Sequence, residues 1–306
     1  MMQPSSRWLD RARCAALAGG YLAYGCLAND SRPPPGSVTN TASSDTALQE
    51  GFTTADGFSI HYDQFLASLG NVSPEGDDCT FYSDAAYNRV LDMRLPKPQR
   101  LSIFYALGQC EIDFEVSSPW QDSVLGQGVT AKDRDFMRTP ASDDEVADAA
   151  ISIYVAGTAT AGAVQKRFAW AFRQRLDHAN CYFFDNDKLV YGAKLSQGSN
   201  VERTLTVHGT SLFQDHLEAA AAELRFAAFA SADDERGDAD GNVTLEELGR
   251  LPLSELADQD QYADAAAGWK TLEDYVYRGL FPRIVRYQGD GDCEELEVAP
   301  NDRVLR

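Results

Sequence analysis

The chain has 306 residues, 44% of them hydrophobic and 10% aromatic, enough to bury a sizeable core. Its 27 Lys and Arg face 47 Asp and Glu, a formal net charge of −20. So acidic a surface repels polyanions, which argues against nucleic-acid binding and suits divalent cations.

Arg7, Arg11 and Arg13 precede a short apolar run, Cys14 to Gly25, too short to span a bilayer as a helix. That layout reads as an export signal over residues 1–25. Ala23-Tyr24-Gly25-Cys26 resembles a bacterial lipobox, in which the cysteine is lipidated and becomes the mature N-terminus. The resemblance implies a lipid anchor to membrane at Cys26. With Leu27 and Ala28 following and no Asp beside the cysteine, it implies an outer-membrane lipoprotein of the cell envelope. Ordinary cleavage before Cys26 also fits Ala23 and Gly25, but it strands Cys26 as an unpaired thiol. Setting Cys14 and Cys26 aside leaves Cys79, Cys110, Cys181 and Cys293, an even number suited to two disulfides in an oxidising compartment. Three pairings are open, of which Cys110–Cys181 with Cys79–Cys293 is one.

Residues 26–50 are rich in Pro, Ser, Thr, Asn and Asp and poor in large apolar side chains, the composition of a flexible tether. Over residues 51–209 the hydrophobic pattern has period two. Phe58, Ile60 and Tyr62 alternate with polar residues, as do Cys110, Ile112, Phe114 and Val116. Ile151, Ile153 and Val155 repeat the pattern, followed by Phe168, Trp170 and Phe172, then Leu205 and Val207. Each set predicts a half-buried strand, and many short strands without intervening helices predict an antiparallel β-sandwich. Further strands are expected near residues 65–69, 89–93 and 101–105. Thr130 with Asp133 marks a short capped helix, whereas residues 139–148 and 183–200 read as exposed loops. His61 faces outward, and His178 reads as solvated in a loop.

From residue 210 to 306 the period changes to that of helices. Leu217, Ala221, Leu224 and Ala228 predict one helix ending near Ala232, and residues 270–280 predict another. Between them lies DERGDADGNVTLEEL, residues 234–248. Asp238, Asp240, Asn242, Thr244 and Glu247 stand where a loop would wrap oxygen ligands around Ca²⁺, with Gly241 at the sharp turn and Val243 at a short β-contact. The stretch resembles an EF-hand. Arg236 occupies the first position, where a carboxylate belongs. A two-residue insertion that brings in Asp234 supplies it, with Asp233 as the lesser choice. No second loop in the chain has the ligands to pair with this one.

His208, Asp215 and His216 offer a possible transition-metal set at the passage into the first helix, without a known ligand spacing. No signature of a hydrolase, metalloprotease, P-loop or dinucleotide site occurs. The expected fold class is therefore α+β, an antiparallel β-sandwich followed by a C-terminal helical EF-hand-like unit. The expected role is that of a non-enzymatic, calcium-binding envelope lipoprotein in which Ca²⁺ is structural. The alternatives are a ligand- or protein-binding surface module with a degenerate loop, and a metal handler or enzyme using His208, Asp215 and His216.

Overall fold

Alternating apolar side chains decide most of the architecture. In the computed structural model, which describes residues 32–140, 150–218, 220–256 and 261–300, the residues expected to point inward are buried. Strand Ser59–Glu75 carries Ile60, Tyr62 and Phe65, and strand Gln99–Val116 carries Leu101, Phe104, Ile112 and Phe114. Ile153–Ala161 and Val164–Phe172 form a hairpin that presents Ile153, Val155, Phe168, Trp170 and Phe172 to the same core. Asn200–Val207 adds Leu205 and Val207. The expected strand at 65–69 is a continuation of Ser59–Glu75, and the one at 101–105 continues into the stretch at 110–116. Arg89–Asp92 is a strand of its own, and Thr130 caps helix Ala131–Met137 reciprocally with Asp133.

The chain is mostly β, but the sheet is a curled, mixed one and not a plain antiparallel sandwich. Gly36–Ser44 runs parallel to Asn200–Val207 and antiparallel to Gln99–Val116, which makes it an interior strand. Residues 36–44 of the stretch expected as a tether are therefore part of the sheet. Val38 and Ala42 are buried there, and small polar residues such as Asn40 pair internally, its amide donating to Ser102 Oγ at 2.9 Å. Composition misled because polar residues satisfied by ladder and side-chain bonds fit a sheet interior as well as a tether. Gln99–Val116 organises the curl. Its first half pairs with Gly36–Ser44 and Cys79–Ala85, its second half with Ser59–Glu75 and Gln174–Asp185.

The stretch expected as a loop at 183–200 instead holds a hairpin, Gln174–Asp185 with Lys188–Tyr191, and the short strand Ala193–Leu195. The nine-residue strand Asp292–Pro300 also pairs with Gln174–Asp185. The four cysteines form two disulfides, Cys79–Cys110 and Cys181–Cys293, a different pairing from the one given as an example. Each joins strands already in register or nearly so, Cys181 lying opposite Cys293 in the ladder.

The helices after residue 209 do not stand apart. Phe213, Phe226 and Phe229 pack on Phe168 and Trp170 within one contiguous core. Two strands of the sheet, Val285–Tyr287 and Asp292–Pro300, follow those helices. The long helix expected over 217–232 does not form: a 3₁₀ turn, Gly209–Phe213, precedes the stretch, and turns and bends fill its first part. Helical geometry begins only at Ala227. Asp215 explains the difference: its buried carboxylate accepts from Glu223 N and Arg225 Nε, folding the segment back on itself. The expected helix at 270–280 forms as Leu272–Asp274 continued by a wider turn, Tyr275–Leu280, with Thr271 as its cap. Among the described residues no helix is long and apolar enough to cross a membrane. Residues 1–25, expected as an export signal, and Cys26, expected as the lipidated residue, lie outside the described residues.

Candidate metal centre

The acidic loop is held between a helix and the edge of the sheet. Ala227–Ser231 leads into a wide turn, Ala232–Arg236, with five-residue backbone spacing. Gly241 follows at φ +85°, the left-handed turn that glycine adopts without steric cost. Asn242–Val243 then pairs in parallel with Arg167–Phe168. Arg167 N donates to Gly241 O at 2.8 Å, and Trp170 Nε1 donates to Val243 O at 2.9 Å. The short β-contact expected at Val243 is thus made with the edge of the main sheet. Helix Leu245–Leu248 leaves the loop, capped reciprocally by Thr244 and Glu247.

Within this frame Asp233, Asp238 and Asp240 converge, each offering a carboxylate oxygen within 4.8 Å of the others. Asp233 takes the place expected for Asp234. Its side chain is 0% exposed, with Oδ2 accepting from Lys166 Nζ at 2.5 Å and from Gly241 N at 3.1 Å. Asp233 Oδ1 is equally buried and has no hydrogen-bond partner. Asp234 turns outward, 54% exposed, and meets only the same ammonium at 2.6 Å. The reason is helical phase. Ala232 and Asp233 lie on the buried face of their turn, which puts Asp234 on the solvent face. Arg236 turns away from the loop to pair with Glu255.

The remaining expected ligands are placed as follows. Asp240 is engaged by Asn242, whose backbone N and side-chain Nδ2 donate to its two oxygens at 2.7 and 2.8 Å. Those bonds hold the Asp240 carboxyl below its usual range. Thr244 Oγ1 accepts from Glu247 N at 3.2 Å, and Glu247 Oε2 accepts from Thr244 N at 2.8 Å. Glu247 is buried outside the three-carboxylate cluster, but its other oxygen lies against the backbone of Gly237. A Cβ at that position would stand 2.0 Å from Glu247 Oε1. Gly237 is thus the residue that lets the last acid approach the loop.

Lys166 was not anticipated. It lies on strand Val164–Phe172 in phase with Phe168, Trp170 and Phe172, so its position is an inward one, and it is 5% exposed. Burial lowers its pKa, but the bonds to Asp233 and Asp234 outweigh burial and leave it raised. A lysine at an inward position of a half-buried strand was the sequence signal for a buried acid partner.

The structure does not bring His208, Asp215 and His216 together around one point. His208 Nε2 bonds Gly289 O at 3.0 Å and its Nδ1 lies 3.7 Å from Asp45. His216 Nδ1 meets Asp215 Oδ1 at 3.0 Å, and Arg225 and Glu223 occupy the rest of that carboxylate. Asp233, Asp238 and Asp240 form the one cluster of metal-ligating side chains among the described residues. His61 is exposed as expected, but His178 is buried in a strand and stacks on Phe114 at 4.2 Å.

No family model matches the chain, and no curated protein or solved structure matches it.

Proposed function

We propose that this chain is an exported, non-enzymatic protein of the cell envelope whose acidic loop binds Ca²⁺ and thereby fastens the helical segment to the sheet edge. The observation that carries the reading is Asp233. This fully buried carboxylate is paired with Lys166 through Oδ2, but its Oδ1 has no partner and Asp238 and Asp240 crowd beside it, a surplus of negative charge that a further cation would offset. Ca²⁺ takes six to eight oxygens, and carboxylates, a backbone carbonyl at Asn242 and water are the donors this loop offers. Asp233, Asp238 and Asp240 would hold the ion, with Glu247, whose Oε1 lies against Gly237, as the closing acid that the spacing of the loop expects. An isolated loop in an exported protein fits an affinity of roughly 10⁻⁴–10⁻³ M, sufficient where calcium is plentiful.

The two disulfides accord with an oxidising compartment outside the cytoplasm. The lipobox-like run ending at Cys26 extends the proposal to a lipid-anchored protein of the outer membrane. Calorimetric titration with calcium tests the site, using the full chain beside Asp238→Ala and Asp233→Asn. The proposal expects heat and a raised melting temperature for the parent chain and neither for the variants. Absence of both effects in the parent at millimolar calcium would remove the calcium reading.

A further inference from the structure

Lys166 Nζ lies 2.5 Å from Asp233 Oδ2 and 2.6 Å from Asp234 Oδ1, and the side chain is almost wholly buried. Its strand also supplies the β-contact that positions the loop, so the ammonium and the loop turn are carried by adjacent residues, Lys166 and Arg167. The ammonium balances Asp233 from one side only. Asp233 Oδ1 keeps no partner, and Asp238 and Asp240 converge on the same residue.

We propose that Lys166 is the resident cation of the acidic loop, a tethered ammonium that Ca²⁺ must displace from Asp233 in order to bind. This rests on the calcium reading above and adds a specificity device to it. A dication on Asp233 would stand within a few ångströms of the ammonium, and the repulsion in a partly buried site makes the two compete for the carboxylate. Binding is therefore an exchange. The ammonium moves outward to Asp234, which is half-exposed and already bonded to it, so Asp234 serves as the lysine's second berth and not as a calcium ligand. Tethering gives the ammonium a high effective concentration that a free monovalent ion of equal charge cannot match. A divalent ion gains a further charge on Asp233, Asp238 and Asp240 together, so the loop selects Ca²⁺ over Na⁺ and K⁺.

The test is calcium calorimetry and thermal melting, with and without calcium, on the full chain and three variants: Lys166→Met, Lys166→Arg, and Lys166→Met with Asp233→Asn. Lys166→Met removes the competing charge while keeping the stem. It is expected to bind calcium more tightly than the parent, on the order of tenfold to a hundredfold. Without calcium it should melt below the parent, because Asp233 is left buried and unpaired, and calcium should restore it. Lys166→Arg keeps the charge and should not gain affinity. The double variant removes both charges and should fold without calcium and bind none. Calcium binding by the parent with equal or weaker binding by Lys166→Met overturns the exchange and leaves the calcium site standing. Binding by neither chain removes both. If Lys166→Met fails to fold even with calcium while the double variant folds, Lys166 is only a structural partner and the exchange is wrong. Binding by Lys166→Met alone overturns the exchange, because in the parent the ammonium is then not displaced by calcium.

Discussion

His178 allows a sharp prediction about acid stability. Its imidazole is buried in strand Gln174–Asp185, stacked on Phe114 with an interplanar angle of 10°, and its Nδ1 has no partner. Burial, aided by Arg286 and opposed by Asp292, pushes its pKa from 6.5 down to about 4. Above pH 6.5 the ring is neutral in folded and unfolded chains alike, and the shift has no effect. Below 6.5 the unfolded chain takes up a proton that the folded chain refuses until about pH 4. Stability therefore falls with acidification across that window, by about 1.4 kcal/mol per pH unit and about 3 kcal/mol in all. Asp113 works against it. Burial raises its carboxyl to about 6, so the folded chain holds a proton that the unfolded chain releases, and acidification through the same window relieves a cost. Asp113 is partly exposed and its contribution is correspondingly smaller. His178→Phe keeps the stacked ring and removes the titration. Its unfolding free energy, from urea melts at pH 7, 6, 5 and 4, should rise relative to the parent by about 3 kcal/mol between pH 7 and pH 4. Asp113→Asn should do the reverse, exposing a steeper acid loss than the parent shows. A difference between His178→Phe and parent that stays constant with pH would refute the burial argument.

Three further outcomes follow from the geometry. Trp170→Phe removes the bond from Nε1 to Val243 O, leaving that carbonyl without its donor. It should cost about 1–3 kcal/mol in chemical denaturation and weaken any calcium affinity without touching a ligand. Thr244→Ala strips the cap from Leu245–Leu248 and should lower stability by about 1 kcal/mol, more in the absence of calcium than in its presence. The disulfides close unequal loops, with sequence separations of 31 for Cys79–Cys110 and 112 for Cys181–Cys293. On loop entropy their losses are about 4 and about 5 kcal/mol, so the double serine variant at Cys181 and Cys293 should melt lower than that at Cys79 and Cys110. The reverse order would mean that native packing, not the unfolded chain, sets their value.

Period-two patterning made the central strands legible, because each has one face in the core and one toward solvent. It failed where that contrast is absent. Gly36–Ser44 has a sheet neighbour on each side and satisfies Asn40 and Thr41 internally, so its polar composition imitates a tether. The hairpin at 174–191 carries exposed Phe184 and Leu189, which blur the alternation. Long-range pairing was beyond reach for a simpler reason. Parallel contacts such as Asn242–Val243 with Arg167–Phe168 join segments with no local sequence relation. At the loop, ligand spacing singled out Asp238 and Asp240, whose carboxylates the structure brings together with that of Asp233. The choice between Asp233 and Asp234 depended on which face of the preceding turn meets the sheet, and only packing on Phe229 and Trp170 settles that.

The same packing resolves why one acidic loop can exist without a twin. In a paired arrangement each loop's short strand gives the other a ladder partner and a rigid wall. Here strand Val164–Phe172 provides both, through the Arg167 N to Gly241 O bond and the indole of Trp170. It also brings Lys166 to the buried carboxylate, something a second loop of the same kind would not do. A wall that is part of a large sheet cannot shift as a partner helix pair can, because its residues are fixed by the neighbouring strand Ile153–Ala161. Calcium at such a site would change how firmly Ala227–Leu248 is held, and would leave the strands where they are. An ion bound there would act as a fastener, unlike the ions of sensors, which work by letting their helices swing open.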